Sequence, residues 1–203
     1  MADKSTNVIV DYGMGNLRSV EKALEQAGAS VIVSSEPEDV RRADAIVLPG
    51  VGAFGDAMAH LQKRGLADVI REEVTAGKPF LGICLGLDLL FEESDEHGLH
   101  QGLGLLPGRV ELIRTKLKIP HIGWNRIAVH KESRLLAGVP NGSYFYFVHS
   151  YVVAPREDSD ILCTTEYGCE FVSAVERDNV TAFQFHPEKS SSLGLQILRN
   201  FVS

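Results

Sequence analysis

Four short apolar runs, 7–11, Ser30–Ser34, 45–48 and Phe80–Cys84, alternate with helically spaced segments in the first half of the chain. That alternation constrains the fold more than any other feature. Strands separated by helices pair in parallel, because a parallel return needs a crossover of about a dozen residues. A sheet built this way is covered on both faces, so its strands are apolar almost throughout. The segments between them fit. Leu17, Val20, Leu24 and Ala27 fall at helical spacing and stop at Gly28. Helices are also expected over Phe54–Lys63 and 66–76. Positions 85, 87, 89, 90 and 91 give 85–94 a helical pattern.

The second half changes character. Segments 109–114, 127–130, 144–154, 161–165, 171–177 and 180–185 are rich in β-branched and aromatic residues. Asn141-Gly142, Tyr167-Gly168 and Asp178-Asn179 separate several of them as turns. A helix over 191–201 closes the chain. The expected fold is α/β: an open, mostly parallel sheet flanked by helices, with antiparallel strands added in the second half. One domain is expected over 1–203, since no linker, repeat or low-complexity tract interrupts it.

Composition narrows the function. Apolar residues are 44% and charged residues 23%, which excludes collagen, coiled coil and disorder. The net charge of −7 gives no general attraction to nucleic acid or an anionic membrane, so neither is an expected partner. Cysteines at 84, 163 and 169, with no C-x-x-C, argue against a disulfide scaffold or a zinc module and fit a reducing compartment. The N-terminus lacks the pattern of a secretory signal, and no apolar run reaches the roughly 18 residues of a membrane span. A soluble cytoplasmic protein is expected, with no metal or cofactor.

Three segments carry candidate chemistry. In Pro79–Gly86, P-F-L-G-I-C-L-G, a strand runs into G-x-C-x-G and a helix follows. This is a nucleophile elbow with cysteine in place of serine. The turn leaves no room for side chains two residues either side of Cys84, and a helix N-terminus there favours thiolate. A buried core cysteine flanked by packing glycines is the plain alternative. In Phe183–Glu188, F-Q-F-H-P-E, Pro187 biases His186 to an extended shape. Glu188 can then hold the imidazole from behind or from the next turn. Read alone, an ordinary surface strand end fits as well. Leu48–Gly55, L-P-G-V-G-A-F-G, follows a parallel strand and offers backbone N–H groups. It suits a phosphate cradle, one oxyanion donor beside the Leu85 N–H, or merely a tight turn. Gly13-Met14-Gly15-Asn16 is discounted as a dinucleotide fingerprint because Arg18 occupies the third glycine position. The histidines at 60, 97, 100, 121, 130 and 149 have no ligand spacing and are expected at the surface or an interface.

Together, G-I-C-L-G, P-G-V-G and F-H-P-E-K resemble the class I glutamine amidotransferases. D-Y-G-M-G-N-L-R-S-V at 11–20, H-I-G-W-N at 121–125 and Y-F-V-H-S-Y at 146–151 are similar to the branch of that family serving histidine biosynthesis. The resemblance spans nearly the whole chain. It implies Cys84 as nucleophile, His186 as general base and acid, and Glu188 as its orienter. It implies an oxyanion hole from the N–H groups of Val51, Gly52 and Leu85. Asp88, Glu96, His149, Ser150 and Tyr151 would bind glutamine. The implied partner is a (β/α)8-barrel cyclase in a heterodimer, receiving ammonia near Asn16, His121, Trp124, Asn125, Tyr146 and Lys189, with His121 and Trp124 facing it. One position departs from the family: Asp88 stands where glutamine is usual, and its helical offset of four places it above Cys84. Asp88 could bind the substrate's ammonium, directly or through water, weaken glutamine binding, raise the pKa of Cys84, or be a harmless variant beside Glu96; it motivates a competing reading, a catalytically weak subunit that only scaffolds the barrel. A cysteine hydrolase of another kind is disfavoured by the Cys…His…Glu order ending in H-P-E-K.

Overall fold

A computed structural model describes residues 5–203. Residues 1–4, which begin the stretch expected to lack a signal, lie outside the described residues. Strands β1 (Thr6–Val10), β2 (Ser30–Ser34), β3 (Ala45–Gly50) and β4 (Phe80–Cys84) interleave with helices α1 (Leu17–Ala27), α2 (Pro37–Arg42), α3 (Phe54–Lys63) and α4 (Leu66–Thr75). All four strands pair in parallel, in the order β2-β1-β3-β4. Successive residues of β1 point to opposite layers. Val8 and Val10 join a core with α2, α3 and α4, while Ile9 joins one with α1. Both faces of β1, β3 and β4 are dry, which is why these strands are almost continuously apolar, while the edge strand β2 leaves Ile32 and Val33 exposed. Helix α1 stops at Gly28, whose φ of 106° lets its N–H reach back to the carbonyls of Leu24 and Glu25.

Helix α2 has one buried residue, Val40, too little apolar periodicity to betray it. Its ends were the better signal: Pro37 in the first turn with Glu38 and Asp39, then Arg41 and Arg42 in the last.

After β4 come α5 (Leu85–Asp88), β5 (Phe91–Ser94), β6 (His100–Gln101), β7 (Leu106–Leu112), β8 (His121–Arg126) and β9 (Ala128–Val129). The expected helix over 85–94 is therefore corrected: it lasts one turn. Leu87, Leu89, Leu90 and Phe91 are all fully buried, so the segment has no polar face to give a surface helix. Phe91–Ser94 instead pairs with β6 and β7.

The remaining elements are β10 (Tyr144–His149), β11 (Tyr151–Pro155), β12 (Ile161–Glu166), β13 (Glu170–Arg177), β14 (Val180–Phe183) and α6 (Ser191–Val202). Strand β14 pairs parallel with β4, and β13 runs antiparallel beside β14. The twelve-stranded sheet continues through β11 and β7, with β12 and β9 branching from β13. The single strand expected over 144–154 is two strands, broken at Ser150. Before the break, β10 pairs only with β8 in a separate two-stranded sheet; after it, β11 rejoins the main sheet. Helix α6 seals the α1 face with Ile197, Leu198 and Phe201. Among the described residues no helix is long and apolar enough to cross a membrane.

Candidate active site

Cys84 ends β4 and caps α5 with φ 55° and ψ −112°. A positive φ is costly for a residue with a side chain. The glycines that permit it do so by close approach. A Cβ on Gly86 would lie 1.8 Å from the Leu48 carbonyl oxygen, and one on Gly82 would lie 2.8 Å from Ala182 Cβ. The sequence reading of an elbow thus holds in its steric reason as well as its shape.

Cys84 opens into a cavity of about 500 Å³. Val51, Gly52, Leu85, Asp88, Glu96, His149, Ser150 and Tyr151 all line it. The break at Ser150 delivers three of these at once, where the chain crosses from one sheet to the other.

The expected histidine–carboxylate pair is present. His186 Nδ1 donates to Glu188 Oε1 at 2.8 Å, both side chains nearly fully buried. His186 is extended as expected, with φ −100° and ψ 97°, and Pro187–Lys189 then forms one 3-10 turn, which brings the carboxylate back to the ring. Ser190, which the sequence reading missed, fixes the pair to β10. Its hydroxyl donates to the His186 carbonyl at 2.7 Å and accepts from the Tyr146 N–H at 3.0 Å. The His186 N–H donates to the Tyr146 carbonyl at 2.9 Å. A serine opening the last helix reads from sequence as a cap, but no cap bond forms.

The thiol and the ring are not joined. Cys84 Sγ donates to the Val148 carbonyl at 3.8 Å, and His186 Nε2 has no hydrogen-bond partner. Burial, then the Asp88 carboxyl, push the thiol up to about 12. This corrects the expectation of a thiolate favoured by a helix end. Helix α5 is a single turn, and desolvation with a nearby acid outweighs the Leu85 N–H that favours the anion. Asp88 is itself held well above the usual carboxylate range by burial and by Glu96, and its Oδ1 is unpartnered. Glu96 accepts from the Phe54 N–H at the start of α3, at 2.6 Å.

His121 and His149 were expected at the surface or an interface, and both are buried. His149 Nδ1 donates to the Tyr151 carbonyl, so its Nε2 accepts from His121 Nδ1 at 2.9 Å. His121 Nε2 then accepts from Asn125 Nδ2 at 3.3 Å. Burial lowers both rings to about 4. His121 stacks on Tyr167 at 4.0 Å between ring centroids and does not face outward as expected. Residue alternation in β8 explains this: Ile122, Trp124 and Arg126 point out, His121 and Asn125 in. Trp124 is 52% exposed and Tyr144 53%; Trp124 lies beside Tyr146, whose ring carries Lys189 Nζ at 5.9 Å. Asn16 is also exposed. Of the other cysteines, Cys163 is buried in β12 and Cys169 sits in the turn before β13.

An elbow cysteine and glycine-loop peptides line one cavity, with an oriented, buried histidine in the same fold, the layout of a cysteine amidohydrolase, and the chain belongs to the class-I glutamine amidotransferase family, whose model matches residues 8–203. Its relatives are more particular. The imidazole glycerol phosphate synthase subunit HisH of Aquifex aeolicus (strain VF5) is 58% identical over 195 residues, covering 96% of this chain and 94% of that one. The HisH subunit of Moorella thermoacetica is 52% identical over 193 residues, covering 95% and 92%. Among solved structures, PurLQS from Thermotoga maritima superposes with a TM-score of 0.78 at 20% identity, over 98% of this chain and 97% of that one. At that identity the likeness concerns the fold.

Proposed function

We infer that this chain is the glutaminase subunit of an imidazole glycerol phosphate synthase. The observation that carries the reading is Cys84 at a strained elbow, beside the His186–Glu188 pair, in a cavity that also holds Asp88, Glu96 and Tyr151. Cys84 is the nucleophile. Its proton passes to His186 Nε2 as sulfur bonds to the side-chain amide carbon of glutamine. The N–H groups of Val51, Gly52 and Leu85 stabilise the oxyanion. His186 then protonates the leaving nitrogen, and ammonia departs as the thioester forms. A water deprotonated by His186 cleaves the thioester to glutamate, and Cys84 regains its proton. Asp88, Glu96, His149, Ser150 and Tyr151 hold the amino-acid end of the substrate.

Ammonia passes to a (β/α)8-barrel cyclase partner, which forms imidazole glycerol phosphate and the aminoimidazole carboxamide ribotide by-product in the cytoplasm. The outward face of β8 and β10, with Trp124, Tyr146 and Lys189, together with Asn16, is the docking surface. His121 and Asn125 support it from beneath. The high-lying thiol, bonded to Val148 rather than to His186, fits a subunit that is idle alone and switched on in the complex.

The test is glutamate release by the chain alone, with the cyclase, and with the cyclase and its nucleotide ligand. Release that needs the full complex and vanishes in Cys84→Ala is the expected result. Release unaffected by Cys84→Ala overturns the reading, as does no release at all.

A further inference from the structure

The turn after β1 packs against the glycine loop at several points. A Cβ on Gly50 would lie 2.1 Å from the Tyr12 hydroxyl, and one on Gly52 2.6 Å from Met14 Cε. A Cβ on Gly15 would lie 3.7 Å from Gly50 Cα. Tyr12 has no exposed surface, and among the described residues its hydroxyl has no hydrogen-bond partner. A tyrosine buried this way normally finds a partner for its hydroxyl, and phenylalanine would fill the space without the cost. Val51 and Gly52 line the cavity while Tyr12 does not, although its ring is close enough to Cys84 for a thiolate there to add to burial in raising the phenol.

The N–H and C=O of one peptide point in opposite directions. Turning the Val51 N–H into the cavity therefore turns the Gly50 carbonyl out of it, and the Tyr12 hydroxyl, packed against Gly50, is the polar group on hand to meet it. We propose that Tyr12 is a positioning residue whose hydroxyl donates to the Gly50 carbonyl only when the Gly50–Val51 peptide presents its N–H to the oxyanion. The orphaned hydroxyl disfavours the idle arrangement and favours the catalytic one. The proposal rests on the oxyanion role given above to the Val51 N–H.

The test is Tyr12→Phe in the complete complex with cyclase, cyclase ligand and glutamine. Stimulated kcat for glutamine hydrolysis should fall about tenfold, the worth of one hydrogen bond, with KM within about twofold. Cyclase activity on ammonium salts should be unchanged, and the thermal midpoint of the isolated chain unchanged or raised. A merely structural hydroxyl predicts the reverse, a lowered midpoint with kcat intact, and that result overturns the proposal. Alkylation of Cys84 followed against pH should give the same profile in both proteins. A shifted profile means that the hydroxyl acts on the thiol, which also overturns it. If the wild-type complex releases no glutamate, the glutaminase reading itself fails, a result distinct from a silent Tyr12→Phe.

Discussion

His149 and His186 are both buried and close enough to feel each other's charge, yet they are wired oppositely. His186 gives one nitrogen to a carboxylate and keeps the other free. His149 has both nitrogens engaged, one with a carbonyl and one with a neutral ring. The difference separates a ring that can exchange protons from a ring that cannot. A carboxylate behind an imidazole stabilises the imidazolium that forms when the free nitrogen takes a proton. A carbonyl and a second imidazole do not, and burial then keeps the His149 ring neutral. Burial alone does not make a histidine catalytic; the charge of its partner and one vacant nitrogen do.

The largest way to break this comparison is to exchange the outcomes of mutation. His186→Ala should lower stimulated glutamine kcat by about 10³-fold or more, and should lower the thermal midpoint as well, because it strands the buried Glu188 carboxylate. Glu188→Gln keeps the shape but not the charge, and should cost about 10²-fold or more. Steady-state glutamate release checks both. His149 variants should leave far more activity; an equal loss there would dissolve the distinction.

A second prediction uses pH. Rings held near 4 in the folded chain titrate near 6.5 when unfolded. The unfolded state therefore binds protons first as the solution is acidified. The stability contributed by neutral His121 and His149 is complete above about pH 6.5 and is lost as pH falls through 6.5 towards 4, to the extent of a few kcal/mol. Urea unfolding between pH 7 and pH 4 measures it. A flat profile would show that the pair is not held neutral.

How much of this was legible beforehand follows from the same contrast. The elbow at Cys84 and the His186–Glu188 pair were readable because their causes are local: two glycines, a proline, a spacing of two. The parallel half was readable because each strand is apolar on both faces. The His121–His149 contact was not, because it joins positions 28 apart through the register of β8 and β10, which no local pattern encodes. Phe91–Ser94 was misread for a related reason. It continues residues 85–91, a stretch buried on every side, in which periodicity loses its meaning. The Cys84 thiol was misjudged because its surroundings are set by Asp88 and the cavity wall, not by the turn.

His149→Phe sharpens the comparison from the structural side. It leaves His121 Nδ1 and the Tyr151 carbonyl without their partner, two buried groups at about 1–3 kcal/mol each before relaxation. In a domain of this size each kcal/mol lowers the thermal midpoint by about 2–4 °C. A drop of several degrees with the chain still folded is expected. The pH dependence between 6.5 and 4 should shrink in the same variant, since one of the two titrating rings is gone.

The smallest effect belongs to Asp88, where the family usually has glutamine. Burial and then Glu96 favour its protonated form, an uncharged group that can donate much as a glutamine amide does. That resemblance argues for retained activity and against the scaffold reading. The two side chains part when substrate arrives. The ammonium of glutamine favours the ionised carboxylate, so binding releases the Asp88 proton. Affinity then depends on pH: KM for glutamine should fall as pH rises towards the value at which Asp88 ionises unaided. Asp88→Gln removes the titrating group, flattens that slope and changes KM by no more than a few-fold at neutral pH. A wild-type KM profile identical to that of Asp88→Gln would show that Asp88 keeps its proton through the cycle. A much lower KM in the variant would show that the acid is a handicap this chain carries.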